Sequence, residues 1–247
     1  MSDWVPTPTF LYRHYLYSKL LGNISNWEEF LLIGTGNGYF INQLKEKKFA
    51  GTCIDISEES IKLSKHNVGK QKNIIIKKAD LFTYIPKQKV GTVFCFEVIE
   101  HIKNDKGAFR KIRKMMKKNG KFIMSVPAHM SMWGEIDEIG GHFRRYEKKK
   151  LQSLLKKSGF EIEIFWNYGF PFLNIIRQIS KSGKFVQNKS SKKLGERIKK
   201  SGVRTEYNPA LKPLVTNNFV LWPLFHLMDL FLDSDLGLGY IVVAKAI

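Results

Sequence analysis

Between Phe30 and Val126 short apolar runs alternate with amphipathic ones, and nothing else in the sequence constrains the fold as much. Strands are expected over Phe30–Ile33, Gly51–Asp55, Asn73–Lys77, Thr92–Phe96 and Lys121–Val126. Helices are expected over 38–47, Glu58–Asn67 and Asp105–Lys118, with Asn119-Gly120 as a C-cap for the last. Strands joined by single helices imply a parallel, doubly wound sheet whose ligand sits at the carboxyl ends of the strands. A helix at Glu147–Ser158 and a strand at Phe160–Trp166 continue the series. The run Gly239–Lys245 reads as a last strand antiparallel to 160–166. The expected fold class is therefore α/β: a Rossmann-like, seven-stranded, mostly parallel sheet with an antiparallel last strand.

At 247 residues the chain can bury a substantial core as one domain. Within it, residues 1–28 read as a helical cap, with a helix at 7–21 that Thr7 or Thr9 caps and Gly22 stops. Residues 29–168 with 238–247 form the core, and 169–237 form an insert before the last strand. That insert reads as an apolar helix starting near Pro171, a basic stretch from Lys181 to Arg204, and a second apolar helix from Asn218 to Leu232. The net charge is +19, but 33 of the 41 basic residues are lysines spread from Lys19 to Lys245. A basic surface for nucleic acid or anionic lipid competes with a plain lysine-rich composition. Cys53 and Cys95 lie in strand-like runs and read as small core residues of a reducing compartment. No stretch is long and apolar enough to span a bilayer, and a cytoplasmic protein is expected.

The first strand breaks into its helix over Gly34-Thr35-Gly36-Asn37-Gly38. Glycines there let a ligand approach the backbone, and the amides at the helix start point toward it. Asp55, at the end of the second strand, is placed to accept hydrogen bonds from both hydroxyls of a ribose. A dinucleotide site would share these features, but its fingerprint needs a small residue where this chain has Tyr39. Asp80 follows the third strand, where an acid can accept from an adenine amino group. The fourth strand runs into Phe96-Glu97-Val98-Ile99-Glu100-His101.

In its order and spacing, the series Ile33–Gly38, Asp55-Ile56-Ser57, Ala79-Asp80 and Glu97–His101 resembles the class I S-adenosylmethionine-dependent methyltransferases, most closely the branch that includes quinone-biosynthesis enzymes. The resemblance covers roughly residues 30–167 and the last strand. It implies S-adenosyl-L-methionine as cofactor, with Gly34, Thr35, Gly36 and Gly38 passing its methionine portion. Asp55 and Ile56 would hold the ribose side, Asp80 and Leu81 would frame the adenine, and Phe96 and Glu97 would line the methyl-donor side. Leu32 stands where the family usually has an acidic residue, and Glu29 is the nearest acid in sequence.

Methyl transfer needs an aligned nucleophile and, for a hydroxyl acceptor, removal of a proton. His101 and His142 are the candidate catalytic residues. The segment Ala128–Tyr146 reads as a long structureless loop rich in site-type residues, expected to cover the active site. Within it Arg144, Arg145 and Tyr146 are candidate acceptor-binding residues. Asp137, Glu138 and His142 are an alternative metal trio, though no metal site is carried forward. The expected acceptor is a small molecule, glycan, lipid-linked or quinone-type compound methylated on oxygen, with peripheral contact to an anionic membrane through the insert. RNA or protein methylation and a non-catalytic binding module are the competing functions. Tyr12, Arg13 and Tyr15 could reach a ligand or simply pack the first helix against the sheet.

Overall fold

The computed structural model describes residues 6–22, 29–46, 49–182 and 218–247. Seven strands, β1 (Phe30–Ile33), β2 (Gly51–Asp55), β3 (Ile74–Lys78), β4 (Val90–Phe96), β5 (Met116–Pro127), β6 (Phe160–Tyr168) and β7 (Gly239–Ala246), form one sheet. Their order is β3-β2-β1-β4-β5-β7-β6. The first five pair in parallel, and β7 runs antiparallel between β5 and β6. The chain reverses direction of winding between β1 and β4, which opens a crevice at their carboxyl ends.

Helices α1 (Pro8–Gly22), α2 (Tyr39–Glu46), α3 (Glu58–Val68), α4 (Asp105–Met115), α5 (Glu135–Gly140), α6 (Lys148–Lys157), α7 (Phe172–Ser182) and α8 (Asn218–Asp229) complete the described elements. Side chains of β1 alternate between two apolar layers, as the strand period requires. Leu31 and Ile33 join the layer of Phe109, Ile112, Phe122 and Leu151, on the side of α4 and α6. Phe30 and Leu32 join Tyr12, Leu16, Phe40 and Phe225, on the side of α1, α2 and α8. All four β1 residues are buried, as expected of a central parallel strand covered on both faces.

The caps follow local chemistry. Thr7 Oγ1 accepts from Phe10 N at 3.2 Å to start α1, and Ser57 Oγ accepts from Ser60 N at 3.2 Å to start α3. Asn104 Oδ1 accepts from Gly107 N at 2.9 Å to start α4. Helices α1 and α8 are tied by Asp229, whose carboxylate accepts from Tyr12, Tyr15 and Lys19, each at 2.9 Å. Helices α1 and α8 therefore pack on one another, with Phe225 against the rings of Tyr12 and Tyr15.

Three expectations are corrected. Helix α4 stops at Met115, and β5 begins at once. Its register against β4 jumps from Val90↔Met116 to Thr92↔Lys121, so Asn119, at φ 63°, turns a strand irregularity and caps no helix. The segment 128–146 is not structureless, since it holds a short 3-10 turn at Met130–Met132 and then α5. Six residues are too few to show a helical period, and α5 depends instead on Asp137 Oδ2 accepting from Gly134 N at 3.0 Å and on Gly141 in the left-handed region. Pro171 sits just ahead of α7, its carbonyl accepting from Ile175 N at 3.2 Å, and not inside the first turn. The basic stretch from residue 183 to Arg204 lies outside the described residues. Cys53 and Cys95 are buried and free, and burial pushes both thiols up.

Candidate active site

The glycine loop closes the crevice at the end of β1. Gly34, Gly36 and Gly38 have φ of 86°, 51° and 83°, a backbone that side-chain-bearing residues seldom adopt. A Cβ on Gly34 would fall 2.4 Å from a methyl of Val98. Asp55 holds this loop: its Oδ2 accepts from Thr35 N at 2.8 Å and from Thr35 Oγ1 at 3.2 Å, and its Oδ1 accepts from Ser57 N at 2.8 Å. The carboxylate stays partly exposed, with lone pairs left for a ligand. Beside it Ile56 is 43% exposed, an apolar platform at the strand end. Asp80 is exposed, and its Oδ1 accepts from Phe82 N at 2.7 Å. Leu81 is buried in the core, so only its backbone can face an adenine. Tyr39 packs its ring against His14 and Phe10 of α1, with centroids 4.6 and 5.2 Å away.

At the end of β4 the chain turns sharply through Glu97, at φ 54°. A left-handed residue with a side chain costs about 1–2 kcal/mol and calls for compensation. Glu97 Oε1 accepts from Ser125 Oγ at 2.8 Å, and Oε2 pairs with Arg13 Nη1 at 2.5 Å. Tyr17 gives the same region an aromatic wall: its ring stacks on Phe96 at 3.9 Å, and its hydroxyl shares a 2.8 Å bond with Ser125. Leu32, in contrast, is 1% exposed within the apolar layer, and Glu29 faces solvent with Gln88. Neither supplies charge to the crevice. Arg13, on α1, instead brings a guanidinium to the end of β4, where it pairs with Glu97.

The turn Ile99–His101 then brings three ionisable groups together with the 128–146 segment. Glu100 is fully buried, and both of its carboxylate oxygens lack a partner. Burial, then the charge of Glu97, pushes its carboxyl well above the usual carboxylate range. His101 meets His142 edge to face, with ring centroids 4.7 Å apart. Burial first, then His142, lowers the His101 pKa to about 4, so the ring is neutral at neutral pH. His142 Nδ1 lies 2.9 Å from Asp137 Oδ1. Burial alone would raise the Asp137 carboxyl, but hydrogen bonds from His142 and Arg145 hold it down at about 2. Against an ionised acid His142 donates from Nδ1, which fixes the ring's orientation.

Arg144, Arg145 and Tyr146 lie beside this cluster, with their polar groups spent on the chain itself. Arg144 donates to the carbonyls of Ile102 and Lys103, each at 2.8 Å, and pairs with Asp105. Arg145 is buried, with Nε 2.9 Å from Asp137 Oδ1 and Nη1 3.0 Å from the Ala128 carbonyl. Tyr146 OH donates to Asp105 at 3.1 Å. The geometry gives all three the task of fixing the segment that carries His142. Glu100 was missed by sequence reasoning because nothing local signals its burial.

Residues 12–163 match the family model described as "Methyltransferase domain". The chain is 30% identical over 122 residues to a malonyl-[acyl-carrier protein] O-methyltransferase of Ilyobacter polytropus, a match covering 47% of each chain. It is 26% identical over 113 residues to the (S)-coclaurine N-methyltransferase of Papaver somniferum, covering 44% of this chain and 32% of that one. The matched region thus spans less than half of either relative. Among solved structures, phosphoethanolamine N-methyltransferase 2 of Haemonchus contortus, bound to S-adenosyl-L-methionine, superposes with a TM-score of 0.60 at 17% identity, covering 95% of this chain and 52% of that one. With the sheet order and glycine loop described above, these matches place the chain in the methyltransferase-domain family, on the class I S-adenosylmethionine-dependent fold.

Proposed function

We propose that the protein transfers a methyl group from S-adenosyl-L-methionine to a hydroxyl of a small or lipid-linked acceptor. The observation that carries this reading is the convergence, at the carboxyl ends of β1, β2 and β4, of the glycine loop, the Asp55 carboxylate and the Arg13–Glu97 pair. When bound, the cofactor supplies a methyl group already activated on sulfonium. The chain's own residues hold and orient it: Asp55 accepts from the ribose hydroxyls, and Ile56 and the Leu81 backbone flank the adenine. The amino-acid end of the donor is a zwitterion, and Arg13 and Glu97 offer it a matching pair of charges where Leu32 offers none. His142, fixed by Asp137, and His101 face the acceptor hydroxyl. A neutral imidazole at this place can take the proton that a hydroxyl acceptor must lose, which supports oxygen as the acceptor atom.

A lipid-linked acceptor is supported by the apolar side chains that α7 and α8 leave in solvent. Ile175, Trp222 and Leu227 are 50%, 59% and 43% exposed. Lysines in the adjoining insert sequence would favour an anionic surface. No helix among the described residues is long and apolar enough to cross a membrane. Peripheral contact is the mode this surface fits. Incubating the full chain and methyl-labelled donor with an extract of the source cells should place label in the small-molecule or lipid fraction. Label in RNA or protein alone, or none despite donor binding, would contradict the proposal.

A further inference from the structure

We infer that Asp229, on α8, is a positioning residue for the methyl donor: by fixing the rotation of α1 it aims Arg13 at the donor's amino-acid end. The role rests on the pairing of Arg13 and Glu97 with the donor zwitterion proposed above. It extends the donor site to a residue of the insert whose carboxylate bonds to α1.

That carboxylate takes three donors from a single helix. Asp229 Oδ1 accepts from Tyr12 OH, and Oδ2 accepts from Tyr15 OH and Lys19 Nζ, each at 2.9 Å. Tyr12, Tyr15 and Lys19 are spaced i, i+3 and i+7, so they form one stripe of α1. Lys19 is 45% exposed, and its pair contributes little. The two phenols are the stronger ties, since Tyr12 is fully buried and a bond to a carboxylate is charge-assisted. Burial, then the charge of Asp229, pushes the Tyr12 hydroxyl up. Burial, then the bond to Asp229, pushes Tyr15 up to about 12, so both phenols remain donors at neutral pH.

The neighbouring stripe of α1 serves the crevice. Arg13 and Tyr17, four residues apart, turn toward the end of β4: Arg13 Nη1 pairs with Glu97, and Tyr17 stacks on Phe96 and bonds Ser125. Arg13 Nε is buried without a partner, so the guanidinium keeps a donor that the chain itself does not use. A group on the helix rim lies about 5–6 Å from the axis, so a turn of about 20° moves it by about 2 Å. A shift of that size breaks a hydrogen bond. The apolar contacts of Leu16 and Leu20 have no direction and permit such a turn, whereas bonds to one carboxylate oppose it.

Calorimetric titration of the full chain compares S-adenosylhomocysteine, which has the amino-acid end, with 5′-methylthioadenosine, which lacks it. Asp229→Asn should weaken the first by about fivefold or more and the second by less than about twofold. In an Arg13→Met chain the same substitution should add no further loss, as expected of two residues acting through one contact. Tyr12→Phe combined with Tyr15→Phe removes both hydroxyls and keeps the rings on Phe225, and it repeats the test if Asp229→Asn does not fold. Equal weakening of both ligands, or an Asp229 effect that persists without Arg13, would overturn the inference and make Asp229 a general tie of the fold. Unchanged affinity in Asp229→Asn beside a weakened Arg13→Met would overturn it while leaving the donor role of Arg13 intact. An Arg13→Met chain that binds S-adenosylhomocysteine as tightly as wild type would remove that role and the inference with it.

Discussion

Asp137→Ala is expected to destabilise the chain by about 3 kcal/mol or more, since removing one partner of a buried ion pair strands the other. Asp137 is 0% exposed and Arg145 only 7%. The carboxylate is the counter-ion of Arg145, the anchor of the His142 ring and the acceptor for Gly134 N at the start of α5. Its loss leaves the Arg145 guanidinium in the interior hydrogen-bonded only to the Ala128 and Leu238 carbonyls. For a chain of this size the change corresponds to a fall in Tm of about 6–12 °C. Asp137→Asn keeps the shape and one acceptor but not the charge, and should fall between the two. Urea or thermal unfolding of the three proteins checks this ordering. An Asp137→Ala chain within about 0.5 kcal/mol of wild type, the range of ordinary surface changes, would show that the 128–146 segment is held by something else.

Asp55→Ala should weaken binding of S-adenosylhomocysteine about 30-fold or more. Hydrogen bonds to a charged acceptor are worth about 1.5–3 kcal/mol, and this carboxylate is positioned to accept two from a ribose. The substitution also frees Thr35 N, Thr35 Oγ1 and Ser57 N, which Asp55 now holds, so the glycine loop loses its preset shape as well. Because Asp55 is only partly buried, the variant should remain folded, and its Tm separates a binding defect from an unfolding one. Arg13→Met should weaken binding to a comparable extent, through the donor's carboxylate and through the unpaired Glu97. Unchanged affinity in Asp55→Ala would remove the basis for placing the ribose there.

The parts of this molecule legible in its sequence are those set by local pattern. Buried runs such as Phe30–Ile33 and the glycines after them declare a strand and a loop without reference to the rest of the chain. Asp55 could be placed because a fixed distance of one helix and one strand separates it from Gly34. Other parts depend on contacts between residues far apart in sequence. Arg13 reaches Glu97 only because α1 lies across the sheet, and Asp229 on α8 holds α1 in that position. Glu100 and His142 come together through the 128–146 segment, which the sequence presents as a loop because α5 is too short to show a period. Arg144 and Arg145 have the residue type expected of an acceptor site, but the direction of a guanidinium is decided by the carbonyls it finds. Here those are Ile102, Lys103 and Ala128.

The central claim is that the crevice at the ends of β1, β2 and β4 holds S-adenosylmethionine and not a nicotinamide dinucleotide. Calorimetric titration of the full chain with S-adenosylhomocysteine, and separately with NAD, tests it most directly. Saturable one-to-one binding of the first and no heat from the second is the predicted result. Binding of NAD, or of neither compound, would contradict the account.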